Sequence, residues 1–218
     1  WHPVHYLDTA EIMYAMAVSY DWLYDYWTIQ RRKEMENATL IFGLNTGLEK
    51  YESKSNPFGT NNWNGVCNGG LTSASLAYLN IPSIYDTAVK VINYALADVE
   101  NGMSTYAPDG GYLESPSYWS YGTNYLQVMF SSLDSCTGTN FGLFYSPGFA
   151  LSAFFPSYLE NEAGSWGFHD SSATQIETFP LFWFAKKTND SSLGLIRYNS
   201  IAKGLKSFTF DDFLFYSP

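Results

Sequence analysis

Cysteine, histidine and positive charge are all scarce in this chain of 218 residues. Its two cysteines, Cys67 and Cys136, are too few for a disulfide scaffold and lack metal-ligand spacing; two free thiols or one bridge would both fit. The only histidines are His2, His5 and His169, and none forms a metal motif with nearby acids. No phosphate-binding glycine loop, serine-nucleophile elbow or metalloprotease helix is present, so neither a cofactor nor a metal is expected. Lys and Arg number 11 against 21 Asp and Glu, a net charge of −10, which argues against a nucleic-acid partner. No apolar run approaches the roughly 20 residues that span a bilayer, so no membrane partner is expected. The chain starts at Trp1 without a signal-peptide pattern, as if an N-terminal segment had been removed or left out.

What abounds is ring surface. Seven Trp, 18 Tyr and 16 Phe make up 19% of the chain, against 15% charged residues, which excludes a disordered or coiled-coil protein. The length suits one principal core. Rings in such number serve a packed interior, a groove for flat and weakly charged ligands such as sugars, or both. Phe141, Phe144, Phe149, Phe154 and Phe155 are expected to fill space between helices.

Helical periodicity dominates and predicts an all-α fold. Apolar residues recur at three- and four-residue steps over Tyr6 to Trp27, and a second helix is expected over Ile29 to Lys50, with Arg31, Arg32 and Lys33 on a solvated face. Further helices are predicted over Asn62 to Leu79, over Ser83 to Asn101 with Ser83 as N-cap and Gly102 as terminator, and from the Ser115-Pro116 cap through Leu133. Others are expected over Ser146 to Leu159, Ser171 to Lys187 and Leu193 to Leu205. Phe208 to Phe210 and Phe213 to Tyr216 look β-like, as though a sheet begins there. Helices of 15 to 20 residues alternate with short turns and long Gly-, Asn- and Trp-rich loops. That rhythm suits stacked antiparallel helical hairpins with a binding site at loop-to-helix junctions.

Two junctions carry chemistry. In the first, Asn61, Asn62, Trp63, Asn64 and Asn68 precede and accompany Gly65, Gly69 and Gly70. One asparagine can serve as an N-cap; the surplus favours carboxamides aimed at a polar ligand, with Trp63 as a stacking surface. In the second, Asp109-Gly110-Gly111 leads through Glu114 to Tyr118, Trp119 and Tyr121. With Ser115 as cap, Tyr118 falls in the first helical turn and Tyr121 three residues on, where the positive end of the helix dipole favours a phenolate and hence proton transfer. Packing in an aromatic core is the other use open to Tyr118, Trp119 and Tyr121. A carboxylate pair for glycoside hydrolysis could be drawn from Asp109, Glu114, Asp170 and Glu177.

At these junctions, and in His2-Pro3-Val4-His5-Tyr6-Leu7-Asp8 and Tyr20-Asp21-Trp22-Leu23-Tyr24-Asp25, the chain resembles the heparinase II/III-like and alginate-lyase group of polysaccharide lyases. The resemblance implies an incomplete α/α toroid over residues 1–204 and the start of a β-sandwich segment over 205–218. It implies β-elimination on a uronate-containing glycan, in the periplasm or outside the cell. Asn62 would neutralise the uronate carboxylate, Tyr118 would act as acid and base, and Tyr121 would be its substitute one turn on. Asn61, Trp63, Asn64, Glu114 and Trp119 would shape the sugar subsites. Several relatives carry a histidine directly after the paired asparagines, where this chain has Trp63, and some instead use a histidine of the following sheet domain; His169 is the internal candidate for a base. A toroidal glycoside hydrolase and a non-catalytic glycan-binding relative are the alternatives. The net charge of −10 favours a sparsely charged acidic polysaccharide over a highly sulfated one.

Overall fold

A computed structural model describes residues 1–2, 5–53, 57–161, 164–169 and 176–216. The fold is all-α. The N-terminal region comprises α1 (Tyr6–Trp22), α2 (Ile29–Ala38) and α3 (Asn45–Ser53), the last two joined by a π-helical turn over Thr39–Leu44. The long helices α4 (Asn62–Ala77), α5 (Tyr85–Met103) and α6 (Pro116–Thr137) follow. After 3₁₀ turns at Leu143–Tyr145 and Ala150–Phe154 come α7 (Phe155–Leu159) and a two-residue antiparallel bridge of β1 (Glu160–Asn161) with β2 (Gly164–Ser165). Then come α8 (Leu181–Thr188), α9 (Ser191–Ala202) and α10 (Phe210–Phe215).

Helix α4 is the axis of the molecule, packing on α1, α5 and α6. Fourteen of its 16 residues are buried, and most are of small or medium size. The glycines explain how three helices come so close. A Cβ on Gly65 would meet the Gly122 carbonyl oxygen of α6 at 2.6 Å, Gly69 faces the Tyr125 carbonyl and Gly70 the Ala10 carbonyl of α1. The small residues beside the asparagines therefore admit neighbouring backbone, not ligand. Helix α1 turns Tyr6, Ala10, Met13, Ala17 and Tyr20 inward at the three- and four-residue spacing of one helical face. Helix α5 does the same with Ala88, Val91, Ala95 and Val99. Each large apolar side chain buried this way contributes roughly 1.5–3 kcal/mol of transfer free energy.

Several boundaries depart from the sequence expectations. Ser83 is not an N-cap: α5 starts at Tyr85 behind Ile84, and Gly102 lies inside the helix, packed on Asn64. Of the helix expected over residues 171–187, only Leu181–Thr188 is helical among the described residues, and 170–175 lie outside them. The C-terminal aromatic stretch is helical and not β-like, and α10 gives no sign of a sheet. Thr209 caps α10 by accepting from the Asp212 N–H, while Asp212 accepts from the Thr209 N–H, a reciprocal capping box that satisfies two end donors. Asp212 is also bidentate to buried Arg197 of α9, at 2.8 and 2.7 Å, which pins α10 to its neighbour. Phe144 and Phe149 are core residues as expected, whereas Phe141 is exposed.

Both cysteines are free: Cys67 is buried in α4 and Cys136 is exposed near the end of α6. Among the described residues no helix is long and apolar enough to cross a membrane.

Candidate functional site

The asparagines of the α4 junction do different jobs. Asn61 is the N-cap; its side-chain oxygen accepts from the Trp63 N–H at 3.1 Å, and the residue itself stays exposed. Asn64 and Asn68 point the other way, into the α4–α5 interface. Their Nδ2 groups donate to Asp98 Oδ2 at 3.1 and 2.9 Å, and Asn68 Oδ1 accepts from the Tyr51 hydroxyl at 2.6 Å. Asn64 is wholly buried, so the expected sugar contact is replaced by a structural one. Burial pushes the Asp98 carboxyl upward, opposed by the hydrogen bonds from Asn68 and Asn101.

Asn62 is the asparagine turned toward the second junction. It is 4% exposed, and its backbone N–H donates to Glu114 Oε2 at 2.5 Å. Its Nδ2 lies 3.2 Å from both Glu114 oxygens, and the Tyr112 hydroxyl donates to Oε2 at 3.4 Å. A carboxylate thus sits at the positive end of a 16-residue helix, bound by main-chain and side-chain donors together. Asn62 Oδ1 is buried and has no hydrogen-bond partner among the described residues.

Glu114 is aimed there by an unusual backbone. Ser115 has φ 90° and ψ 163°, a region otherwise nearly confined to glycine, and such conformations concentrate at functional sites. It occupies the N-cap position of α6 as expected but makes no side-chain cap bond. Its hydroxyl instead accepts from the Phe168 N–H at 3.5 Å, which draws the segment carrying His169 to the start of α6. His169 itself is exposed.

Tyr118 is half-buried in the first turn of α6. It lies four residues before Gly122, whose Cα faces the Asn62 backbone: a Cβ there would be 3.2 Å from Asn62 Cα. Positions i and i+4 share a helix face, so Tyr118 stands on the side of α6 that meets Asn62. Trp119 is fully buried and belongs to the core, not to a sugar subsite. Tyr121 turns toward α1 and donates to Glu11. Burial, reinforced by Glu11, pushes its hydroxyl far upward, and burial does the same to Tyr112, so neither is a ready phenolate. The expected lowering by the helix dipole is outweighed at Tyr121, because desolvation and a carboxylate both oppose ionisation. Trp63 is half-buried with its ring edge-on to His5 at 4.9 Å, which leaves only part of its face for stacking.

Beside this cluster opens a cavity of about 570 Å³, walled by Thr60, Ser104, Thr105, Asp109, Tyr112 and Phe168 among others. Hydroxyls and rings predominate, and Asp109 is the one charged residue of its lining among the described residues. Of the other carboxylates considered for hydrolysis, Glu114 is engaged by Asn62. Glu177 lies 3.6 Å from both Arg197 and Lys206, and Asp170 lies outside the described residues. Among the described residues no group of three His, Cys, Asp or Glu side chains is placed to hold a metal ion. Asp98 was missed by the sequence reasoning, since nothing local marks it within an amphipathic helix, whereas its partners Asn64 and Asn68 were singled out for a different role.

No family model and no curated protein matches this chain.

Proposed function

We propose that this protein is a polysaccharide lyase that cleaves a uronate-containing glycan by β-elimination, on a helical scaffold forming part of an α/α toroid. The observation that carries this reading is the Asn62 amide at the start of α4, which already holds a carboxylate, that of Glu114, through both its N–H and its Nδ2. β-Elimination needs such a group. Removal of the C5 proton beside a carboxylate places negative charge on the carboxylate oxygens, and preorganised donors stabilise that charge.

In this mechanism the uronate carboxylate takes the donors of Asn62. His169 accepts the C5 proton, the electron pair forms the C4–C5 double bond, the bond from C4 to the glycosidic oxygen breaks, and the Tyr118 hydroxyl protonates the departing oxygen. The adjoining cavity, with its hydroxyls and the Phe168 ring, accommodates the neighbouring sugar. Its lack of cations fits a sparsely charged chain.

The product is a conjugated unsaturated uronate, so new ultraviolet absorbance across a panel of uronans is the expected result. Its absence with the full-length protein would sink the lyase reading, and release of saturated ends would replace it with hydrolysis. Tyr118→Phe should abolish turnover with glycan binding retained. His169→Ala should also abolish it; retained turnover in that variant would move the base onto Tyr118. Binding without turnover in the wild type would indicate a glycan-binding relative.

A further inference from the structure

The donors assigned above to the uronate are not vacant. Glu114 takes the Asn62 N–H at 2.5 Å and Nδ2 at 3.2 Å, and also the Tyr112 hydroxyl at 3.4 Å. Two carboxylates cannot share one neutral amide without strong repulsion, so a bound acid must displace this one. We propose that Glu114 is a resident stand-in for the ligand's carboxylate, a latch that occupies Asn62 until an acidic sugar takes its place.

Three features support it, and it rests on the carboxylate-binding role of Asn62. The glutamate is half-buried while the amide it covers is 4% exposed, so Glu114 has a route outward and Asn62 has none. Asn62 Oδ1 is buried without a partner among the described residues. A uronic acid with a free C4 hydroxyl, such as glucuronate, carries a donor near its carboxylate and can satisfy that oxygen as well as accept from Nδ2, which an acceptor-only glutamate cannot. The exchange therefore gains a hydrogen bond for a hydroxylated acid and gains none for a simple one. Displacing Glu114 costs every competing anion the same contacts, so the preference for sugar acids comes from the hydrogen bond they add at Asn62 Oδ1.

The test is titration of the full chain with sodium glucuronate, followed by NMR at the Asn62 amide. An amide occupied nine-tenths of the time binds about tenfold more weakly than a free one, so Glu114→Ala should tighten glucuronate about tenfold, with a smaller gain for Glu114→Gln. Acetate should gain in the variants too, but bind the wild type far more weakly than glucuronate does; glucose should show no gain. Unchanged or weaker glucuronate binding in the folded variants overturns the latch, as does failure of glucuronate to bind any form. Should the variants not fold, the wild type still decides. With carboxyl-labelled glutamate, the Glu114 resonance should move to that of a solvated side chain as glucuronate saturates Asn62, and a stationary resonance refutes displacement. Neither measurement requires turnover. Displacement without new ultraviolet absorbance leaves the latch standing and removes the lyase; turnover without displacement does the reverse.

Discussion

Neighbouring asparagines of identical chemistry are separated here by which way a helix turns them. Asn62 faces Glu114 beside the start of α6, while Asn64 and Asn68, two and six positions on, face Asp98 between α4 and α5. The density of amides was legible in the sequence, but their division was not, because Asp98 lies about 30 residues downstream and only packing brings it back. The buried carboxyl makes a measurable prediction. Its folded-state value is raised, chiefly by desolvation, so the stability it contributes is full below the unfolded value and is lost as pH rises through the folded one. Asp98→Asn does not titrate. Thermal midpoints of the two proteins, compared between about pH 4 and about pH 7, should therefore shift in the variant's favour as pH rises, whatever their constant offset. A difference flat with pH would show that Asp98 ionises in the fold as freely as in water. Asn62→Asp probes the other face: a second carboxylate beside Glu114 should destabilise the protein at neutral pH and recover as either group is protonated, which the same melts would read.

Elements were more legible than residues. The apolar spacing located α1, α4, α5 and α6 to within a few residues, since each must bury a continuous face. The tail was misread because Phe and Tyr in alternation resemble a strand, whereas Thr209 and Asp212 stand at the three-residue spacing of a helix cap. That local signal was present and was outweighed by composition. Removing it has two consequences of different size. Thr209→Ala should cost about 1 kcal/mol as a lost cap. Asp212→Ala should cost about 3–5 kcal/mol, because it removes the bidentate partner of a buried guanidinium and leaves it, among the described residues, only Glu177 at 3.6 Å and the Ser207 carbonyl. Urea denaturation distinguishes them, and equal losses would show that the ion pair adds nothing to the cap. At the crossing of α4 and α6, Gly65→Ala gains about 1 kcal/mol of helix propensity, yet the new methyl meets the Gly122 carbonyl. Overpacking of this kind costs about 1–3 kcal/mol, so a net loss is expected, together with weaker binding at Asn62, which Gly122 also touches. A net gain in stability would mean that the two helices can separate freely.

For the molecule as a whole, a net charge of −10 would set a long-range repulsion of the proposed acidic substrate against the short-range donors at Asn62. Raising ionic strength from about 10 mM to about 150 mM shortens the screening length from roughly 30 Å to roughly 8 Å, so KM for a uronan should fall over that range. A rise would reveal a cationic path for the substrate, and preference for heparin over lightly charged uronans would contradict the charge argument outright. The two free thiols offer a different view of the same molecule. Burial raises the Cys67 thiol and places it on the axial helix, whereas Cys136, raised less by partial burial and Asp21, stays open to reagent. The pair amounts to an internal clock. Alkylation of Cys136 follows the chemistry of the reagent, while alkylation of Cys67 waits for α4 to part from its neighbours, so the lag between them times how often the centre of the protein opens.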